Sequence, residues 1–174
     1  SSETHLSHSS FVVFDHGAAT GDIDNDGDMD IVITELNWKV GTKFWCLMND
    51  GTGFLKKRNC GGIFAFGLEL ADMDGDGDLD ALVGAHEHEG SIDFTGIVWN
   101  DGNGNFPNYN VTPLPQHKKK WGTIPEVSAS DLDNDGDLDI VYSRAGILYV
   151  GTAIQIIENL GNKKFKDHGI FPLV

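Results

Sequence analysis

Three segments of this chain place an aspartate at every second position. They are Asp22, Asp24, Asp26, Asp28 and Asp30; Asp72, Asp74, Asp76, Asp78 and Asp80; and Asp131, Asp133, Asp135, Asp137 and Asp139. Each segment reads D-x-D-x-D-G-D-x-D. Five like charges in nine residues repel one another strongly unless a counter-ion sits among them. Asp and Gly also disfavour helix interiors and favour turns. Each segment is therefore expected to form a tight loop that wraps a cation, with its glycine at the bend.

The same segments account for the charge of the molecule. The chain has 27 acidic and 12 basic residues and a formal net charge of -15. The three clusters together hold 15 of the acidic residues, so the remainder is balanced at 12 against 12. A charge excess of this sign repels phosphate and excludes a nucleic-acid partner. Hydrophobic residues make up 40%, enough for an ordinary core and too much for a disordered acidic tail. The apolar runs are too short for a membrane span. The chain does not begin with Met and shows no leader, which reads as a processed or excised piece.

A second marker repeats in step with the clusters. Asn49-Asp50-Gly51, Asn100-Asp101-Gly102 and Asn159-Leu160-Gly161 are each followed by a phenylalanine: Phe54, Phe106 and Phe165. The clusters start 50 and 59 residues apart, and the markers 51 and 59 apart. Self-similarity at this period means a solenoid, propeller or array. Within each unit a short apolar stretch leads into the cluster, at 18–20, 68–71 and 127–130. An apolar strand follows, at 29–34, 79–84 and 138–143. A third strand comes next, at 43–48, 95–99 and 153–158, and the Asn-Asp-Gly turn closes a hairpin onto a fourth. No segment has helical periodicity. The expected fold is all-β, with three four-stranded antiparallel blades of a β-propeller type. Residues 1–10 read as a flexible N-terminal segment, 11–60 as the first blade, 61–111 as the second, and 112–174 as the third, with an insertion near 112–125.

The cation chemistry follows from the donors. Carboxylates are hard oxygen ligands, and calcium takes six to eight oxygens. An EF-hand needs an acidic residue at position 12 of its loop, but here that position is Ile33, Val83 or Tyr142. The closing acid is at position 9 instead: Asp30, Asp80 or Asp139. Side-chain ligands are expected at positions 1, 3, 5 and 9, and a main-chain carbonyl at position 7 (Asp28, Asp78, Asp137). Three calcium ions, one per repeat, are expected. Magnesium seldom uses an all-protein cage.

The segments GDIDNDGDMDIVIT, ADMDGDGDLDALVG and SDLDNDGDLDIVYS resemble the FG-GAP/VCBS repeats of integrin-α-like β-propellers. NDGTGF and NDGNGNF are similar to the hairpin that closes each such repeat. The resemblance covers residues 11–174 and implies a calcium loop between the first two strands of each blade. The third unit departs from it with Leu160 in the hairpin turn. Propellers close with about four blades or more, so three would leave open faces. The chain is then a fragment of a longer propeller, self-associates with a second copy, or packs as an open arc. Residues 9–14 are either a lone strand of a neighbouring blade or a frayed terminus.

In a propeller the second-to-third-strand and blade-to-blade connections lie on the face away from the cation loops. Here these are 35–42, 60–66, 85–94, 112–125 and 144–152. Variable loops on a rigid scaffold are where binding usually resides. Trp38, His86, His88, Trp121 and Arg144 are the candidate ligand-binding residues, for a sugar ring or a peptide side chain. Phe64, Phe66 and Tyr149 read more readily as filling between blades. His86 and His88 alternate and could hold a transition metal, although no third ligand is identifiable and a solvated loop is the plainer reading. Lys118–Lys120 is a basic run read the same way, or as a contact for an acidic glycan or partner.

Cys46 and Cys60 flank the first Asn-Asp-Gly turn, and either a disulfide or two buried thiols fits them. Asn110-Val111-Thr112 is a glycosylation sequon. The functional expectation is an extracellular, cell-surface or periplasmic recognition module, for adhesion or for glycan or protein binding. The alternatives are the propeller of a secreted polysaccharide lyase or hydrolase, or a structural spacer. An enzyme would draw on His86, His88, Glu35, Arg144 and Lys118–Lys120, and no Ser-His-Asp or paired-Glu signature appears.

Overall fold

The computed structural model describes residues 14–37, 41–63, 65–87, 94–117 and 120–173. Among them are three antiparallel sheets of four strands and one 3-10 turn, Ile147–Tyr149. The first sheet is β1 (Phe14–Gly21), β2 (Asp30–Asn37), β3 (Gly41–Asn49) and β4 (Leu55–Gly61). The second is β5 (Gly67–Ala71), β6 (Asp80–Gly84), β7 (Gly96–Val98) and β8 (Val111–Pro113). The third is β9 (Thr123–Ser130), β10 (Asp139–Ala145), β11 (Thr152–Asn159) and β12 (Phe165–Pro172). Strands are neighbours in chain order in every sheet, so each sheet is a meander, the unit of a propeller blade. The all-β expectation stands. No helix among the described residues is long and apolar enough to cross a membrane. Trp38, Phe64, His88, Lys118, Lys119 and the N-terminal residues before Phe14 lie outside the described residues.

Period-two patterning assigns each strand two faces. In β11, Ala153, Gln155, Ile157 and Asn159 are buried, whereas Ile154, Ile156 and Glu158 are half-buried. The buried set faces the second sheet. Residues of β6 are buried on both sides because the second sheet is the middle layer. Ala81 and Val83 pack with Val32, Phe44 and Cys46 of the first sheet. Leu82 and Ile97 pack with Ile140, Tyr142 and Ile157 of the third. The core is thus two apolar seams, one at each blade junction.

The leading strands β1, β5 and β9 lie side by side, and glycine permits their approach. A Cβ on Gly17 would lie 2.9 Å from the Leu68 Cβ, and one on Gly67 would lie 2.9 Å from the Ile124 carbonyl oxygen. The corresponding residue of the third sheet is Glu126, which is exposed.

Two local expectations are revised. In the second unit the Asn-Asp-Gly turn does not lead straight into a fourth strand, since β8 begins only at Val111. Phe106 is instead drawn into the first seam and bridges to Gly61 of the neighbouring sheet. Pro107, next to it, has no N–H to give a ladder. The insertion expected over 112–125 contributes to strands at both ends, and the connection proper is 114–122.

Cys46 and Cys60 are joined in a disulfide, with 5.9 Å between their Cα atoms. It staples β3 to β4 under the first seam, where both residues are buried.

Candidate metal centres and the loop face

Each aspartate cluster connects the first two strands of its sheet, and the three loops are built alike. The sixth residue is Gly27, Gly77 or Gly136, with φ of +94°, +95° and +99°. Only glycine adopts that region without strain, so the bend is fixed by sequence. The bend turns the loop back on its first carboxylate. Asp22 accepts main-chain N–H groups from Asp26 at 3.1 Å and Gly27 at 3.0 Å. Asp72 accepts from Gly75 at 2.9 Å and Gly77 at 3.1 Å. Asp131 accepts from Asn134 at 2.7 Å and Gly136 at 3.2 Å.

The ninth residue begins the second strand and closes the loop from below. Asp30, Asp80 and Asp139 are 0%, 2% and 3% exposed. Asp30 accepts from the N–H of Ile23 at 3.3 Å and of Asn49 at 2.8 Å. The Asp80 donors are Met73 and Asn100, at 3.2 and 3.0 Å. Those of Asp139 are Leu132 and Asn159, at 3.0 and 2.8 Å. The repeated asparagine therefore ties the hairpin turn to the acidic loop.

Positions 1, 3 and 9 converge. In each of the sets Asp22, Asp24, Asp30; Asp72, Asp74, Asp80; and Asp131, Asp133, Asp139, one carboxylate oxygen per residue lies within 4.8 Å of the others. Position 5 holds the loop from within: Asp26, Asp76 and Asp135 accept the N–H of position 7 at 2.9, 3.0 and 2.9 Å. The side chains at position 7 reach toward the hairpin turn. Cβ atoms on Gly51, Gly102 and Gly161 would lie 2.8, 2.7 and 3.0 Å from Asp28, Asp78 and Asp137. Those turns require glycine, and the three-carboxylate groups do not include the position-7 side chains.

The electrostatics of the groups are those of negative charge in excess. Burial, reinforced by Asp74 and Asp76, pushes Asp80 up to about 7 against the pull of its two main-chain donors. Burial and then the neighbouring Asp26 and Asp30 raise Asp24, and burial and then Asp135 raise Asp133. The Asp24 Oδ1 is buried and has no hydrogen-bond partner. An orphaned carboxylate oxygen on a residue grouped with two other carboxylates fits a bound hard cation, which would give it a partner and offset the shared negative charge. In the second loop, Lys163 from the third sheet reaches Asp74 at 2.7 Å and covers the Trp99 ring.

The opposite face carries the other candidates. His86 bridges to Thr123, packs edge-on to Phe66 at 4.2 Å, and has its Nε2 3.1 Å from the Tyr149 hydroxyl. Trp121 is half-buried, and a Cβ on Gly151 would lie 3.1 Å from its ring. It therefore supports the loop that presents Leu148, Tyr149 and Val150, all exposed. Leu148 and Tyr149 have φ of +55° and +62°, a costly region for branched and aromatic residues.

Arg144 corrects its expected place. It belongs to β10, is fully buried, and forks onto Glu87, with Nη1 to Oε2 at 2.9 Å and Nη2 to Oε1 at 3.3 Å. It also donates to Gln155 at 2.8 Å and to the Trp121 carbonyl at 2.7 Å. Its guanidinium is committed to the protein and offers nothing to an outside ligand. Glu87, the acidic partner, was hidden in the His86–Glu89 run, where nothing in the sequence distinguishes it from a solvated residue. Glu35, another loop candidate, accepts a hydrogen bond from the Trp45 indole N–H within the first sheet.

Three stacked four-stranded meanders, each with an acidic loop between its first two strands, define a set of β-propeller blades. The family model described as FG-GAP-like repeat matches the chain twice, over residues 22–83 and 72–142. The chain belongs to the FG-GAP-like repeat family. No curated protein matches it.

Proposed function

We propose that the chain is a calcium-stabilised β-propeller segment of the integrin-α/VCBS type, working outside the cytosol as a recognition module for a glycan or protein. The observation that carries this reading is the threefold repetition of one three-carboxylate group, with the unpartnered Asp24 Oδ1 in the first. All donors are hard oxygens, which selects calcium, magnesium or manganese over softer metals. Loops rich in protein carboxylates favour calcium over magnesium, which keeps its waters. Asp22, Asp24 and Asp30 would hold one ion, with the corresponding residues of the other loops holding two more. The ion would neutralise carboxylates that otherwise repel, so binding and folding are coupled.

Loops of this class outside cells work at calcium of about 0.1–1 mM, and the Cys46–Cys60 disulfide is at home in the same oxidising compartment. The recognition surface is the face opposite the ions. There Tyr149 and its exposed neighbours form an aromatic and apolar projection beside His86.

The test is thermal unfolding in calcium and in EDTA. For each site saturated at about 100 times its dissociation constant, calcium stabilises by about 2.7 kcal/mol. A large rise in Tm with calcium, and a smaller one in the Asp30→Asn variant, is expected. An unchanged Tm after chelation would sink the metal reading. A glycan array and a pull-down from cell-surface extract, each repeated with Tyr149→Ala, test the recognition face.

A further inference from the structure

The three hairpin turns differ at one residue that bears on the acidic loops. The fourth residue after the repeated asparagine is Gly53 in the first unit, Gly104 in the second and Lys163 in the third. The last two turns close in the same register, since Asp101 donates its N–H to the Asn105 carbonyl and Leu160 donates to that of Lys164. The backbone at this residue is left-handed in all three units, with φ of +81°, +69° and +58°. Glycine enters that region freely, whereas a lysine there carries a conformational cost. That cost accompanies a placed ammonium group. Lys163 Nζ lies 2.7 Å from Asp74 Oδ2 and 3.8 Å from the centroid of the buried Trp99 ring. Asp74 is position 3 of the second acidic loop, and its side chain is 12% exposed.

The junction of the first two sheets shows what a glycine leaves room for. A Cβ on Gly104 would lie 2.6 Å from Arg58 Nη2 and 3.1 Å from the Ile23 side chain. Arg58, from β4, fills that space. It donates to the turn, to the Asn103 and Gly104 carbonyls at 2.7 and 3.0 Å and to Asn105 Oδ1 at 3.3 Å. None of these bonds reaches the first acidic loop, where Asp24 Oδ1 is without a partner. Arg58 pairs with Cys46 across its ladder, and Thr112 pairs with Ile97 at the same place in the second unit. The second sheet therefore has threonine where the first has arginine, and the basic group at the next junction comes from the turn of the third sheet.

Both oxygens of Asp74 are engaged. Oδ1 accepts the N–H of Asp76 at 3.3 Å, and Oδ2 holds the ammonium. Of the ion pairs among the described residues, this one alone involves a three-carboxylate group.

We propose that Lys163 is a resident counter-ion of the second acidic loop and competes with calcium for Asp74, so that it lowers the affinity of that site alone. The proposal rests on the calcium reading of the loops. An ion held by Asp72, Asp74 and Asp80 meets a positive charge already placed on one of its three carboxylates. Like charges sharing a carboxylate repel, so binding of the ion releases the ammonium. Lys163 belongs to the turn of the third sheet and Asp74 to the loop of the second. Filling the second site therefore breaks an ion pair across their junction. Among the described residues, filling the first or third site breaks none.

The test is calcium titration of the 174-residue chain against a chromophoric chelator, which counts ions and gives each constant. Four forms are compared. Lys163→Met removes the charge and keeps the left-handed backbone. Lys163→Gly removes both and restores the residue of the other two turns, so it keeps the fold. Lys163→Arg keeps both. Lys163→Met and Lys163→Gly are each expected to tighten one of the three constants by about three- to ten-fold, the scale of a partly exposed ion pair. Lys163→Arg is expected to match the wild type. Constants within about two-fold of wild type in both Lys163→Met and Lys163→Gly would overturn the proposal, as would equal tightening in Lys163→Arg. In either case calcium is still bound, and the calcium reading stands. A chain that takes up no calcium in any form sinks that reading and this proposal with it.

Discussion

Replacing Glu87 with alanine strands a guanidinium in the protein interior. Arg144 and Glu87 are both fully buried, and the fork between them is closed by bonds of 2.9 and 3.3 Å. Glu87 also accepts the main-chain N–H of His117, so its carboxylate serves the connection into the third sheet as well. Removing one partner of a buried pair costs about 3–5 kcal/mol, because the other charge stays desolvated. In a domain of this size each kcal/mol moves Tm by about 2–4 °C, so a fall of roughly 6–20 °C is expected. Removing both charges tells a different story. The double variant Glu87→Leu, Arg144→Met exchanges an ion pair for apolar volume, which is often near neutral. The Trp121 carbonyl that Arg144 serves then loses its donor, at about 1–3 kcal/mol. The double variant should therefore be more stable than Glu87→Ala, with a coupling of about 2 kcal/mol or more in the cycle completed by Glu87→Leu and Arg144→Met. Urea unfolding at fixed, saturating calcium is the assay, so that metal linkage is held constant. If Glu87→Ala unfolds within about 1 kcal/mol of wild type, the pair is not a buried electrostatic tie and the reasoning fails.

Two further outcomes follow from the blade junctions. Asn100→Ala leaves the Ile23 and Leu79 carbonyls without their donor; a loss of about 1–3 kcal/mol per buried group is expected in urea unfolding. Cys46→Ser with Cys60→Ser opens a disulfide spanning 14 residues, and about 3 kcal/mol of stability should disappear by the loop-closure account, read as an equal change in wild type on adding reductant.

The fold was legible because its signal is periodic and local. Asp-x-Asp-x-Asp-Gly, Asn-Asp-Gly and the apolar strands between them recur three times, and each fixes backbone within a few residues of itself. The bend at Gly27, for instance, follows from one residue that tolerates a φ of +94°. Positions 1, 3 and 9 were readable for the same reason, since one short loop contains them all. Position 5 was expected as a ligand too; Asp26, Asp76 and Asp135 each accept the position-7 N–H through one carboxylate oxygen, a use that the sequence does not show.

What the sequence alone determined is therefore the unit: a four-stranded blade with an acidic loop, and how many times it occurs. What the tertiary structure decided is how the units meet. Arg144 looked like a loop residue open to a ligand, yet it is buried, because its charge is answered by Glu87, 57 residues away in the preceding unit. Leu55 and Phe106 occupy the same place in their repeats, each six residues after the repeated asparagine, yet one is 39% exposed and the other 0%. Their local sequences do not separate them. Burial depends on whether another sheet stands in front, and that is a property of contacts between distant segments, which no local pattern encodes.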